Sequence, residues 1–213
     1  MTARLLILIA SFVIAALPSY AQAYIDPYKD YSEETFMDMD FLPNINTPVV
    51  GAKEKEAVRK TVLAAANSLK SKFIIDLVRD DEVFIASVTT DDIFLPNDTL
   101  MIEKADEILE PLLAPMQDPM AYKIVIAMHT DDTGSETYRE NLSTARLNSV
   151  YEWFMNRIDE GTLSEQLLII PFAMGGSMPI VPNNSRENRK ENRRLEVYFI
   201  PGPSLISAAH KAK

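Results

Sequence analysis

The spacing of apolar residues changes character several times along the chain, and each change predicts an element. Residues 54–72 carry Val58, Val62, Ala65 and Leu69 at helical spacing. The next stretch, KFIIDLVRDDEVFIASVTT, holds two short β-rich runs separated by a charged turn at residues 79–82. In TLMIEKADEILEPLLAPM, the residues Met101, Ile102, Ala105, Ile108, Leu109 and Leu112 share one face. They predict an amphipathic helix that bends or ends near Pro111 and Pro115, because proline has no amide proton for the helix ladder. YKIVIAM and LLIIPFAM are nearly continuous apolar strands, and RLEVYFI is a last strand with partial alternation. Between the first two, Leu147, Val150, Tyr151, Phe154 and Ile158 form a helical stripe that stops before Gly161. From residue 83 the order is strand, helix, strand, helix, strand, long loop, strand. That order predicts an α/β (α+β) sandwich: a mixed sheet of about four strands with helices packed on one face, preceded by a helix and an extended arm.

The ends lack these periods. Residues 24–53 are acidic, aromatic and proline-punctuated, which predicts an extended lead-in lying across the domain; its aromatic residues alternatively mark a partner contact. Residues 54–79 hold the helix and a short strand, residues 80–201 the domain, and residues 202–213 a flexible C-terminal tail. The opening MTARLLILIASFVIAALPSYAQA has one early cation, a short apolar run and a closing Ala-Gln-Ala, the order of a signal peptide over residues 1–23. The apolar run is shorter than the roughly 20 residues a spanning helix needs, although an uncleaved anchor is the alternative.

Composition narrows the chemistry. The formal net charge of -10 argues against a general nucleic-acid binder, which needs a positive footprint. The basic cluster RENRKENRR at residues 186–194 reads as a solvated loop, or as a contact for acidic glycan or lipid groups. With no cysteine, the sequence offers no disulfide, thiolate metal site, cysteine nucleophile or lipidated cysteine. The two histidines, His129 and His210, give no metal-ligand spacing, and no cofactor is expected. Residues 24–82 are too few for a membrane barrel, which needs about eight strands of roughly 9–11 residues.

One stretch concentrates candidate chemistry: HTDDTGSETYRENLSTAR, residues 129–146. Asp131 follows a strand end, the region where α/β sheets favour ligand sites, and Gly134 lets the chain turn. On a helix from Glu136 to Arg157, Arg146 falls at the edge of the apolar stripe, between Leu142 and Val150. From that edge an arginine can bury its stem and aim its fork at a carboxylate, while Asp131 takes an ammonium; together they would select a zwitterion. The competing reading is local: Asp132 and Thr133 serve the positive end of the helix, and Arg146 pairs on the surface with Glu152 or Asp131.

The stretch HTDDTGSETYRENLSTARLNSVYEWF resembles the signature of the OmpA C-terminal-like (OmpA/MotB-type) peptidoglycan-binding domain family, roughly G-H-T-D-x-x-G and then Y-N-x-x-L-S-x-x-R-A-x-x-V. FAMGGSMPIVPNNSRENRKENRRLEVYF is similar to that family's second block. The resemblance spans about residues 80–201. It implies non-covalent binding of peptidoglycan through a diaminopimelate-type residue of the stem peptide. By the same resemblance Asp131 takes the amino group, Arg146 a carboxylate, and Thr130 and Leu142 lie beside them. The loop DDIFLPNDT supplies the wall residues Phe94, Leu95 and Asn97, while Asp132, Asn192 and Arg193 support the site. Met128, Asn188 and Leu195 depart from the pattern, and Asn141 is displaced within it.

The expected role is a wall-binding module in the periplasm of a diderm bacterium, associated with the cell wall or outer membrane. It would anchor an exported protein, or an envelope partner reached through residues 24–53. The alternative is a membrane-anchored stator or secretion-machine component using the same domain; residues 5–18 hold no acid of the kind a stator helix needs. An enzyme built on Asp131, His129 and Ser135 is the least favoured reading, because no activated nucleophile is visible.

Overall fold

The computed structural model describes residues 24–212. Its centre is a five-stranded sheet among the described residues, with strands β1 (Ile74–Val78), β2 (Val83–Thr89), β3 (Tyr122–His129), β4 (Ile169–Gly175) and β5 (Arg194–Pro201) in the order β1-β2-β5-β3-β4. All neighbours are antiparallel except β3 and β4, which are parallel. A parallel pair needs a crossover, and helix α5 (Glu136–Asp159) supplies it. The fifth strand beyond the expected four is β1: the run ahead of residue 80 pairs with β2 over its whole length. Short helix α4 (Ala105–Leu109) passes at once into 3-10 turns over Glu110–Met116, so the expected amphipathic helix tightens where Pro111 and Pro115 remove amide donors.

The helical face forms the larger core. Helix α3 (Lys55–Leu69) contributes Val58, Val62, Ala66 and Leu69, and α5 contributes Leu147, Val150 and Phe154, against Phe84, Ile124, Val197 and Phe199 of the sheet. The C-terminal residues are not a flexible tail. After the short helix α6 (Arg186–Asn192) and β5, Pro203–Lys211 form a further helix that buries Leu205, Ile206 and Ala209 in this core. Pro203 opens it at a position where the missing amide proton costs nothing.

The second face of the sheet is also covered, so helices do not pack on one face alone. The arm is not extended: it folds into two helical turns, α1 (Glu33–Met37), capped by Ser32, and α2 (Phe41–Asn46). Phe36 and Phe41 are buried with Val83, Ile85, Val125, Ala127, Ile170, Tyr198 and Ile200. Phe41 meets Phe172 and Tyr198 edge-on at 5.3 and 5.7 Å. Lys123, 2% exposed, passes through this layer, and its Nζ donates to Asn44 O at 2.7 Å, Asn44 Oδ1 at 2.8 Å and Thr47 O at 2.6 Å. Each ammonium proton thus has one acceptor, which offsets part of the cost of burying the charge, although burial still pulls the Lys123 pKa down to about 7. Among the described residues, no helix is long and apolar enough to cross a membrane. The expected signal peptide lies outside the described residues.

Phe36→Ala should weaken docking of the arm by about 3 kcal/mol, the cost of emptying a buried phenylalanine site. Hydrogen exchange of the amides of residues 28–47 is expected to accelerate while β3 and β5 keep their protection. Equal loss in arm and sheet would show instead that the two unfold as one unit.

Candidate functional site

The end of β3 is built to turn. Its register against β4 shifts between Met128 and His129, with Met174 of β4 as the extra residue. The Thr130 amide then donates to Gly175 O at 2.8 Å, and Asp131 Oδ1 accepts from the Thr133 amide at 2.8 Å, an Asx-type turn. Gly134 has φ +85°, and a Cβ there would lie 2.7 Å from the Tyr138 ring, so both backbone and packing require glycine. Ser135 Oγ accepts from the Tyr138 amide and caps α5. The capping role expected of Asp132 is therefore filled by Ser135. Asp132 reaches sideways instead and accepts from Arg189 Nε at 2.8 Å, which ties this turn to α6.

A cleft of about 340 Å³ opens at this strand end. Of the residues expected at a site, it is lined by Phe94, Asn97, Thr130, Asp131, Leu142, Arg146 and Arg193. Leu95 is not part of the wall: its side chain is exposed, and only its carbonyl faces inward, toward Arg146. Asn192 lies behind the cleft, fully buried; its Oδ1 accepts from the Ile180 and Val181 amides and its Nδ2 donates to Val181 O and Asn183 Oδ1, so it pins the loop before α6. The lining also includes Asp91, Pro96, Thr133, Tyr138 and Arg186, which motif reading missed. Tyr138 could have been found, since Tyr138, Leu142 and Arg146 recur every four residues and share one face of α5.

Arg146 is more deeply placed than an edge residue. It is 4% exposed, and Nε donates to Asp98 O at 2.9 Å, Nη1 to Thr90 Oγ1 at 3.3 Å and Nη2 to Leu95 O at 3.3 Å. Its guanidinium carbon stands 5.0 Å from the centre of the Phe94 ring, a cation–π distance. Burial lowers its pKa, and the Asp91 charge opposes that shift. Three of its five N–H donors are used in this way, and two remain.

The acid end of the cleft is an ion-pair relay. Arg193 Nη1 donates to Asp131 Oδ2 at 2.6 Å, while Nε and Nη2 hold Asp91 bidentately at 2.9 and 2.7 Å. Burial alone would raise the Asp131 carboxyl, but the Thr133 amide and Arg193 outweigh it and hold it below the ordinary carboxylate value. The hydrogen bond from Arg193 lowers Asp91 in the same sense. The Asn97 backbone is left-handed (φ 58°), a conformation asparagine tolerates, and its Oδ1 accepts from the Tyr138 hydroxyl at 3.1 Å.

His129 turns away from the cleft. Its Nε2 lies 3.1 Å from Glu196 Oε2, an oxygen that also accepts from the Tyr198 hydroxyl at 2.7 Å, while Oε1 accepts from Arg194 Nε at 2.7 Å. No group of acids and histidines able to hold a metal ion occurs among the described residues.

Fold and cleft together define a mixed α/β domain with an ion-paired pocket at the end of its central strands. Residues 93–193 match the OmpA family. YfiB of Escherichia coli (strain K12) is 28% identical over 107 residues, covering 49% of this chain and 63% of YfiB. Motility protein B of Helicobacter pylori (strain ATCC 700392 / 26695) is 31% identical over 119 residues, 52% of this chain and 40% of that protein. The chain thus matches less than two thirds of the length of either relative. Among solved structures, a MotB-like protein from Desulfovibrio vulgaris superposes with a TM-score of 0.57 at 22% identity, covering 70% of this chain and 95% of that one. The cell wall anchor of the T6SS from Pseudomonas aeruginosa gives a TM-score of 0.50 at 16% identity, covering 66% and 95%. At these identities the structural likeness establishes the fold.

Glu196 provides a pH test. Burial would raise its carboxyl, but the hydrogen bond to His129 and the charge of Arg194 bring it down to about 2 from an ordinary 4.5. A carboxylate lowered in the folded state contributes stability above its unfolded pKa, and that contribution drains as pH falls through the folded value. The melting-temperature gap between wild type and Glu196→Gln should therefore shrink as pH falls from 4.5 toward 2.

Proposed function

We propose that the cleft binds peptidoglycan non-covalently, through the diaminopimelate-type residue of a stem peptide, and that the chain anchors an exported protein or its partner to the cell wall. The observation that carries this reading is the meeting of Asp131 and Arg146 in one cleft of the OmpA family domain, an acid and a base with unused hydrogen-bonding capacity. Asp131 accepts the free ammonium of the ligand, Arg146 donates its two remaining N–H groups to the adjacent carboxylate, and Phe94, Leu142 and Tyr138 pack on the carbon chain. Two charged contacts and an apolar wall suffice for recognition without catalysis. Support for anchoring comes also from the Pseudomonas aeruginosa structure, which is described as a cell wall anchor.

The same reading makes the chain non-enzymatic. The residues that suggested acid–base work serve other ends: His129 faces Glu196, Ser135 caps α5, and Asp131 is held ionised by Arg193. Placement in the periplasm, at the wall or outer membrane of a diderm bacterium, follows from the ligand. A partner contact through residues 24–53 would use the outward Ile25, Met37, Leu42 and Val49, because Phe36 and Phe41 are committed to the sheet.

The test is co-sedimentation with purified sacculi. Asp131→Asn and Arg146→Lys should each weaken retention about tenfold, the loss of one charge-assisted contact. Lysine is used at Arg146 because alanine would strip three hydrogen bonds from the loop it supports. Retention equal to wild type in both variants would overturn the clamp, and release of soluble wall fragments by the wild type would overturn the non-enzymatic assignment.

A further inference from the structure

The charges lining the cleft do not cancel. Three guanidinium groups, Arg146, Arg186 and Arg193, face two carboxylates, Asp91 and Asp131. Arg193 is neutralised within the protein by its bidentate pair with Asp91 and its bond to Asp131. Two acids against this one base leave a single negative charge, centred on Asp131. Arg146 donates only to two carbonyls and a hydroxyl, so it has no ion-pair partner and feels Asp91 and Asp98 only across space. Arg186 sits exposed on the rim, and its side chain has no ion pair or hydrogen bond among the described residues.

The position of Arg186 is nonetheless well defined. It is the first residue of α6, whose N-cap Ser185 accepts from the Asn188 amide at 3.0 Å. One turn along, Arg189 holds Asp132, on the turn that carries Asp131. Asn188 Nδ2 donates to Pro182 O and to Asn184 Oδ1, which fixes the approach to the helix. These contacts fix the backbone that carries Arg186, and a guanidinium fork is weakly hydrated and shaped for a carboxylate.

We infer that Arg186 receives a second carboxylate of the ligand, so that the cleft prefers a group bearing one ammonium and two carboxylates over a simple zwitterion. The ammonium falls to Asp131, the neighbouring carboxylate to Arg146 and the remote carboxylate to Arg186. The inference rests on the wall-binding reading above and adds which form of the stem residue is selected: the one whose remote carboxylate is unmodified. Because Arg186 is exposed, its contribution is that of a surface pair, about two- to fivefold in affinity, and added salt screens it.

Isothermal titration calorimetry with two soluble stem peptides tests this. Both end in the diamino acid; one has both carboxylates free, and the other carries the remote carboxylate as a primary amide. Wild type is expected to prefer the free diacid about two- to fivefold, and in Arg186→Gln that ratio should fall to near unity. Equal affinity of wild type for the two peptides, or an unchanged preference in Arg186→Gln, overturns the inference. If that happens while Asp131→Asn loses both peptides, the wall-binding reading survives and only the role of Arg186 is lost. If wild type binds neither peptide, both fall.

Discussion

A guanidinium removed from water has to be met by acceptors, and much of this molecule's irregular backbone is arranged by that requirement. Arg146 projects from the middle of α5 into the space under the loop that follows β2. The loop turns a hydroxyl, Thr90, and two carbonyls, those of Leu95 and Asp98, toward it, and lays the Phe94 ring against it. Apart from a 3-10 turn at Thr90–Asp92 and one bridge between Phe94 and Met101, this loop has no ladder of its own. The cation and the wall of the cleft therefore form one unit: moving the arginine would move the wall.

The same solution appears on the other face of the sheet. Lys123 rises from β3 into the arm, and its three protons are matched by three acceptors of Asn44 and Thr47. Arg79 adds a further tie, from Nη1 to Ile45 O at 3.1 Å. Segments too short to be stable helices alone are thus held by a buried cation together with a pair of phenylalanines. The sheet is sandwiched between two such layers, which is why β5 is buried on both sides despite the charged residues along it.

The strands and α5 could be read from the chain because their apolar spacing is long enough to show a period. The arm could not: α1 has five residues and α2 six, too few to display one, and what stabilises them is contact with Val83, Tyr198 and Ile200 far along the chain. The closing helix was hidden for a similar reason, as Leu205, Ile206 and Ala209 are apolar but too few to distinguish a docked helix from a tail. At the cleft, local motifs pointed to Asp131 and Arg146. Nothing local distinguished Asp91 from Asp92, because the partner that selects Asp91 is Arg193, 102 residues away. Leu95 went the other way: its residue type suggested a wall, whereas the fold uses only its carbonyl.

The pairing of Asp131 with Arg193 bears on how a ligand could enter. A carboxylate only 6% exposed would be driven toward its neutral form if left alone, and a neutral acid attracts an ammonium poorly. Arg193 and the Thr133 amide prevent this by keeping it ionised. Oδ1 accepts from the Thr133 amide and Oδ2 from Arg193, the Thr133 side chain adds a third hydrogen bond, and a carboxylate has about four acceptor sites. An incoming ammonium can then join Asp131 without expelling Arg193, which keeps its bidentate grip on Asp91. In the proposed reading the relay is preorganisation: the charge needed for recognition exists before the ligand arrives, and the protein has already met the cost of placing it there.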